Sequence, residues 1–327
     1  MIRARHWSLA ILLATPVVAN AFSFTPDSYY ASTGSSIVQY AADGTILDSV
    51  RPTGATSIGT DTRGIAFGGD GLMYVVRNNQ LDINGAGNAG VDAMDSSGNV
   101  VRSYTFSGWI SGQATAGDIA FSNDGKSFYV GATSGVYQFD VNSQVGQRIS
   151  GLEANDLAVM PNGDLLVASE NDFSRLSSDG TLLQTIDSDI NDPQGLAKPY
   201  SKFGDISLAN IRGIAYDPTS DTTYVSMLGY SFKVLALDGF TSTLKGITSY
   251  RYASDLFVTD QQKLLVGSWS QAPAVFDPEL NLLTQLGSTS AVFVTAMSVP
   301  EPGTVGMMLL GLGGVAALST RRRAHRA

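Results

Sequence analysis

Five short stretches of this 327-residue chain place a polar or charged side chain just ahead of an apolar strand-like run: Arg63-Gly64, Gly117-Asp118, Asn155-Asp156, Arg212-Gly213 and Ser254-Asp255. If the runs converge, the residues that lead them converge as well. Asp118, Asp156 and Asp255 then become candidate metal ligands, with calcium as the candidate cofactor because it takes hard oxygen donors. Arg63, Arg212 and Asn155 become candidates for holding a polar ligand. The favoured competing reading is structural: these groups pair with each other and with loop backbone, since ion-pair networks imitate sites. Trp109 and Trp269 complete the ligand-binding set, with Tyr104, Tyr200, Tyr230, Tyr250 and Tyr252 expected near them. An aromatic plane offers a sugar ring a broad apolar face with a polar edge. The same rings serve equally well to pack loops down.

Composition removes most catalytic classes. There is no Cys, and the two histidines, His6 and His325, stand near the chain ends. Ser-His-Asp and Cys-His catalysis, disulfides and the usual zinc ligand sets are therefore excluded from the middle of the chain. The ends (1–21 and 303–327) carry six arginines and no acidic residue, which leaves 14 basic against 29 acidic groups between them, a net charge of −15. Nucleic-acid binding needs a clustered basic excess and is excluded as a general function. Asp187-Ser188-Asp189-Ile190-Asn191-Asp192 starts like an EF-hand loop, but Asp192 stands where Gly is needed and Lys198 where Glu is. The Gly-rich stretch 84–90 lacks the Lys-Ser/Thr ending of a phosphate loop. No Gly-x-Ser-x-Gly elbow occurs either.

The positioning elements repeat. Ile65-Ala66-Phe67, Ile119-Ala120-Phe121, Leu157-Ala158-Val159, Ile214-Ala215-Tyr216 and Leu256-Phe257-Val258 are five copies of one motif, and Thr295-Ala296-Met297 is a degenerate sixth. Their middle residues are 54, 38, 57, 42 and 39 positions apart, so three spacings fall near 40 and two contain insertions. A turn and a second apolar stretch follow each of the first five, at 72–76, 128–132, 165–169, 223–227 and 264–268. Asp70-Gly71, Asp124-Gly125 and Asn162-Gly163 are hairpin signals. Third strands follow at 137–140, 173–176, 234–237 and 275–276, two of them before the Asp-Gly turns Asp179-Gly180 and Asp238-Gly239 and the last before Asp277-Pro278. Asp outnumbers Glu 25 to 4, as turn service demands.

Four short strands per unit of about 40 residues predict propeller blades. The first ordered segment, 28–47, has three strands and lacks the leading one, whereas 294–297 is a leading strand with nothing after it. Together they complete a sixth blade and hide sheet edges. The expectation is an all-β, six-bladed β-propeller over residues 22–298, closed by pairing of N- and C-terminal strands. Gly64-Ile65-Ala66-Phe67, Asp70-Gly71 and Met73-Tyr74-Val75 resemble NHL and gluconolactonase-like propeller repeats. Such repeats specify strands rather than chemistry. The long links 78–90, 104–117 and 187–211 are expected on the face where the leading strands begin, together with both tryptophans. Functional loops cluster in this way on rigid scaffolds.

The chain ends carry the address. Arg3 and Arg5, the apolar stretch 9–18 and Ala19-Asn20-Ala21 read as a signal peptide over residues 1–21. At the other end stand Val299-Pro300-Glu301-Pro302, an apolar run over 304–320, and Arg321-Arg322-Arg323. Seventeen residues at about 1.5 Å each are just enough for a transmembrane helix, with its arginines held cytoplasmic. This ordered combination over residues 299–327 resembles the PEP-CTERM sorting signal. The resemblance implies an exosortase as partner, removal of the span, and a bacterial surface or matrix protein that accompanies exopolysaccharide and biofilm production. The leading functional expectation is a non-enzymatic propeller binding polysaccharide or another surface protein. The alternative, from the gluconolactonase-like resemblance, is a calcium-dependent lactonase or hydrolase using Asp118, Asp156, Asp255 and Asn155. Against it, a full ligand set cannot be matched, and Arg63 and Arg212 repel a cation. A purely structural module is the third reading.

Overall fold

The computed structural model describes residues 23–52, 60–79, 89–108, 116–186, 190–196, 208, 210–228 and 232–297. The signal stretch 1–21, Trp109, Tyr200, Tyr230, Asp187, Asp189 and the whole sorting tail lie outside these residues. Among the described residues there are 24 strands and no helix. The N-terminal three are β1 (Tyr29–Ser32), β2 (Ile37–Tyr40) and β3 (Ile46–Val50). Four follow in β4 (Thr60–Phe67), β5 (Met73–Asn79), β6 (Gly90–Met94) and β7 (Val100–Phe106). The next four are β8 (Ala116–Phe121), β9 (Ser127–Ala132), β10 (Gly135–Asp140) and β11 (Val145–Ser150). They are succeeded by β12 (Asp156–Val159), β13 (Leu165–Ala168), β14 (Phe173–Leu176) and β15 (Leu182–Ile186). The last full sets are β16 (Ile211–Asp217), β17 (Thr222–Met227), β18 (Lys233–Asp238) and β19 (Leu244–Ser249), then β20 (Ala253–Val258), β21 (Leu264–Ser268), β22 (Ala274–Phe276) and β23 (Leu282–Gln285). A single strand, β24 (Phe293–Ala296), ends the series.

Within each set the strands pair antiparallel in chain order, and β24 joins the other end of the chain. It pairs with β1, Tyr30 opposite Thr295 and Ala31 opposite Val294, so the N-terminal sheet runs β24-β1-β2-β3. The leading strands form a closed cycle: β4 packs on β8, β8 on β12, β12 on β16, β16 on β20, β20 on β24 and β24 on β4. Five of the apolar motifs lie wholly on these inner strands, and the sixth runs one residue past the end of β24. The turns take the conformation their residues favour. Gly71, Gly125, Gly163 and Gly180 have φ of +78°, +66°, +89° and +88°, the left-handed region that glycine enters without penalty. The Asp side chains before them accept backbone N–H groups, as in Leu72 N to Asp70 at 3.2 Å and Thr181 N to Asp179 at 3.1 Å.

Separate four-stranded sheets are not the rule throughout. The sets β4–β7 and β8–β11 merge into one eight-stranded sheet through a parallel contact of their outer strands, Thr105 with Val145 and Phe106 with Gly146. An aromatic core draws the two sets together. Phe128 and Phe139 stack at 4.7 Å, and Tyr104 meets Phe128 edge-on at 5.0 Å. Gly146 of β11 leaves room for the Phe139 ring of β10, because a Cβ there would fall 2.3 Å from it. Tyr104 is thus a fully buried core residue whose hydroxyl donates to Val141 O, and it takes no part in a surface face. Tyr250 is buried likewise, donating to Ala272 O.

Candidate functional site

The dipeptides singled out from sequence sit where the inner strands begin, and four of those strands are irregular there. Pairing register slips between Thr62 and Ile65, Ala116 and Ile119, Ile211 and Gly213, and Ala253 and Leu256. Such a bulge bends the strand and re-aims its side chains. The glycines of the dipeptides have a steric reason. A Cβ on Gly64 would lie 2.6 Å from the Asp118 backbone, and one on Gly213 would lie 2.7 Å from Ser254 O. Neighbouring inner strands approach that closely only where the side chain is absent.

A cavity of about 260 Å³ opens on this end of the ring, lined by Arg63, Gly117, Thr133, Asn155, Arg212, Ser254 and Trp269 among others. It brings together four of the five residues expected to bind a ligand; the fifth, Trp109, lies outside the described residues. Trp269 follows β21 in the link to β22 and is half exposed, at 50%. Arg212 donates from Nη1 to Asn155 Oδ1 at 3.3 Å, and Asn155 is itself oriented by donating from Nδ2 to Ile211 O at 3.1 Å. Thr133 and Phe293 also line the mouth, and nothing in their local sequence pattern marks them. Tyr252 packs against Phe232 at 4.3 Å, with the Arg251 guanidinium 5.4 Å from its ring centre.

Below the mouth the three carboxylates meet. Oxygens of Asp118, Asp156 and Asp255 lie within 4.8 Å of one another, and all three residues are buried. Backbone N–H groups occupy three of these oxygens: Leu157 N to Asp156 Oδ1 at 2.6 Å, Ile214 N to Asp156 Oδ2 at 2.7 Å, and Val294 N to Asp255 Oδ2 at 2.6 Å. The last two cross from one inner strand to the inner strand of the next sheet. Burial pushes the Asp118 carboxyl up to about 7. Burial, then the nearby charges of Asp255 and Asp118, holds Asp156 well above the ordinary carboxylate range. Burial and the Asp118 charge do the same for Asp255. A calcium ion takes six to eight oxygen ligands. With half of the carboxylate oxygens accepting backbone N–H groups, the cluster fits shared protons better than that ion. No ion pair joins Arg212 to these carboxylates among the described residues.

A second cavity, about 640 Å³, opens on the opposite end. It is lined mainly by the apolar inner-strand motifs, Phe67, Phe121, Val159 and Phe257 among them, with Asp118 and Asp255 at the carboxylate cluster. Met297, the last described residue, also lines it.

The closed ring of all-β units defines the class of fold, and the comparisons add an address. Residues 298–323 match the family model for the PEP-CTERM protein-sorting motif. The chain thus carries an export and membrane-associated sorting signal of the kind an exosortase processes. No curated protein matches it. A protein of unknown function from Bacteroides caccae, known from a crystal structure, is similar in fold, with a TM-score of 0.58 at 11% identity over 83% of this chain and 98% of that one. Solved structures of 1065 chains are similar, and a fold so widely shared carries no activity with it.

Proposed function

We propose that this chain is a six-bladed β-propeller, related to NHL and gluconolactonase-like repeats, that acts after export as a non-enzymatic binding protein of the cell surface or matrix. On this reading residues 1–21 are the signal peptide, 22–298 the propeller and 299–327 the sorting signal, anchored in the inner membrane by its apolar helix until an exosortase removes it. The closed cycle of inner strands, completed by β24 from the far end of the chain, supports the propeller. The binding role rests on one observation: Arg63, Asn155, Arg212 and Trp269 line a single open mouth. Polysaccharide is the proposed ligand, in keeping with the exopolysaccharide and biofilm setting of the sorting signal. Trp269 supplies the flat apolar face.

Titration with host exopolysaccharide, followed by tryptophan fluorescence and calorimetry, is expected to give a saturable signal. Trp269→Ala should weaken binding by about tenfold, a typical cost for losing an aromatic anchor. Unchanged affinity in that variant would move the site elsewhere. The clustering of Asp118, Asp156 and Asp255 favours one second reading, the calcium-dependent hydrolase. That reading requires lactone turnover that disappears in chelator; absence of any turnover in millimolar calcium removes it.

A further inference from the structure

We infer that the larger cavity, at the end of the ring opposite the arginine mouth, is a second binding site that takes an amphipathic primary amine, with its apolar body among the inner-strand motifs and its ammonium on Asp118 and Asp255. The inference stands apart from the saccharide reading, since it concerns the other end of the ring. In all six copies of the motif the third residue lines this cavity and is only half-buried: Phe67, Phe121, Val159, Tyr216, Val258 and Met297. One position per unit thus leaves a largely apolar side chain facing a shared hollow. Apolar surface gathered into one concave space is what an apolar ligand covers. The volume of about 640 Å³ falls within the roughly 300–1,000 Å³ typical of small-molecule sites.

The floor of this hollow sets the head group. β8 and β20 are three places apart in the cycle of inner strands and so face one another across it, yet oxygens of Asp118 and Asp255 lie within 4.8 Å. The carboxylates therefore stand near the axis rather than against one wall. Asp118 and Asp255 line the cavity, whereas Asp156, both of whose oxygens accept strand N–H groups, does not. Strand N–H groups and Asp156 are the hydrogen-bond partners of Asp118 and Asp255, and they orient the oxygens without bringing a positive charge. No lysine or arginine is among the described residues that line the cavity. Calcium asks for more oxygens than the backbone leaves; an ammonium brings one charge and three donors, which suits what remains. A cation beside the cluster favours ionised carboxylates over shared protons, so entry of the ammonium releases a proton to solvent.

The test compares 4-phenylbutylamine, 4-phenylbutanol and 4-phenylbutyrate, which share one apolar body and differ only in the head. Calorimetry is run on the full-length chain, held in a non-ionic amphipathic polymer so that no free detergent competes. A pH of 8 lies above the value to which burial raises Asp118, and an alkylammonium keeps its proton there. The amine is expected to bind at least tenfold tighter than the alcohol, and the acid more weakly than either. Asp118→Asn, which removes a charge and keeps the shape, is expected to lose most of the amine's advantage. Equal affinity for amine and alcohol, tighter binding of the acid, or no binding of the amine would each overturn the inference while leaving the saccharide reading intact. An undiminished amine preference in folded Asp118→Asn would overturn it too, by placing the ammonium elsewhere. The comparison of heads uses the unmodified protein, so it decides even if the Asp118 variant does not fold.

Discussion

A chain ending at residue 292 is expected to lose cooperative unfolding, whereas one ending at residue 297 should keep it. The difference is β24, whose four residues pair with β1 in register from Ser32–Phe293 to Tyr29–Ala296. Phe293 and Val294 are buried, and each contributes about 1.5–3 kcal/mol by leaving water. The strand also holds the ring shut. Without it β1 becomes an open edge, Tyr29 and Ala31 lose their cover in the cluster they share with Val294 and Leu265, and Asp255 Oδ2 loses the Val294 N–H. A domain of this kind is stable by only about 5–15 kcal/mol in total, so the combined loss approaches the whole. Urea unfolding followed by near-ultraviolet circular dichroism, with gel filtration beside it, makes the comparison. Matching midpoints and monomeric elution for both chains would mean that closure through β24 does not hold the fold together.

Much of this was legible because strands and turns are written locally. The stretches 37–40, 173–176 and 264–268 coincide with β2, β14 and β21, since apolar runs bounded by Asp-Gly or similar turns leave few other choices. The out-of-phase ends pointed to the pairing of β24 with β1 for the same reason. Placing Arg63, Asn155, Arg212 and Trp269 at one mouth followed from connectivity alone, because each stands at the beginning of an inner strand or in a link on the same end. What stayed hidden depends on contacts far apart in sequence. The merging of two sheets goes with Tyr104 and Phe106 of β7 meeting Phe128 and Phe139 of the next set, which draws Tyr104 into a core rather than to a surface. The lower cavity was hidden in plain view. Its lining is the apolar motif itself, which reads as a marker of repetition and gives no hint that its side chains surround a hollow. The upward shift of the carboxylates was also beyond reach, because it depends on burial and on oxygens brought together from three inner strands.

Those carboxylates carry the second large prediction, a fall in stability as the pH rises from about 4 through 7. An Asp side chain that ionises at its ordinary value of 3.8 when unfolded, but is raised by burial to about 7 when folded, as Asp118 is, binds its proton more tightly in the folded state. Its stabilising contribution is fully present below pH 3.8, declines as the pH climbs, and is gone once the pH has passed the folded value. Asp156 and Asp255, shifted in the same direction, add to the decline. For Asp118 alone the span corresponds to roughly 4 kcal/mol, which is on the order of 10 °C in melting temperature for a domain of this size. Asp118→Asn places a neutral donor where the shared proton sits, and it should flatten the profile and raise the melting temperature above that of the unmodified protein at pH 8. Occupancy by calcium would reverse the sign. An ion needs all three carboxylates deprotonated, so millimolar calcium at pH 8 would raise the melting temperature and chelator would lower it. Melting curves across pH, with calcium and with chelator, therefore decide whether shared protons or a metal ion hold the centre of the ring. A flat profile in the unmodified protein would remove the proton-sharing account.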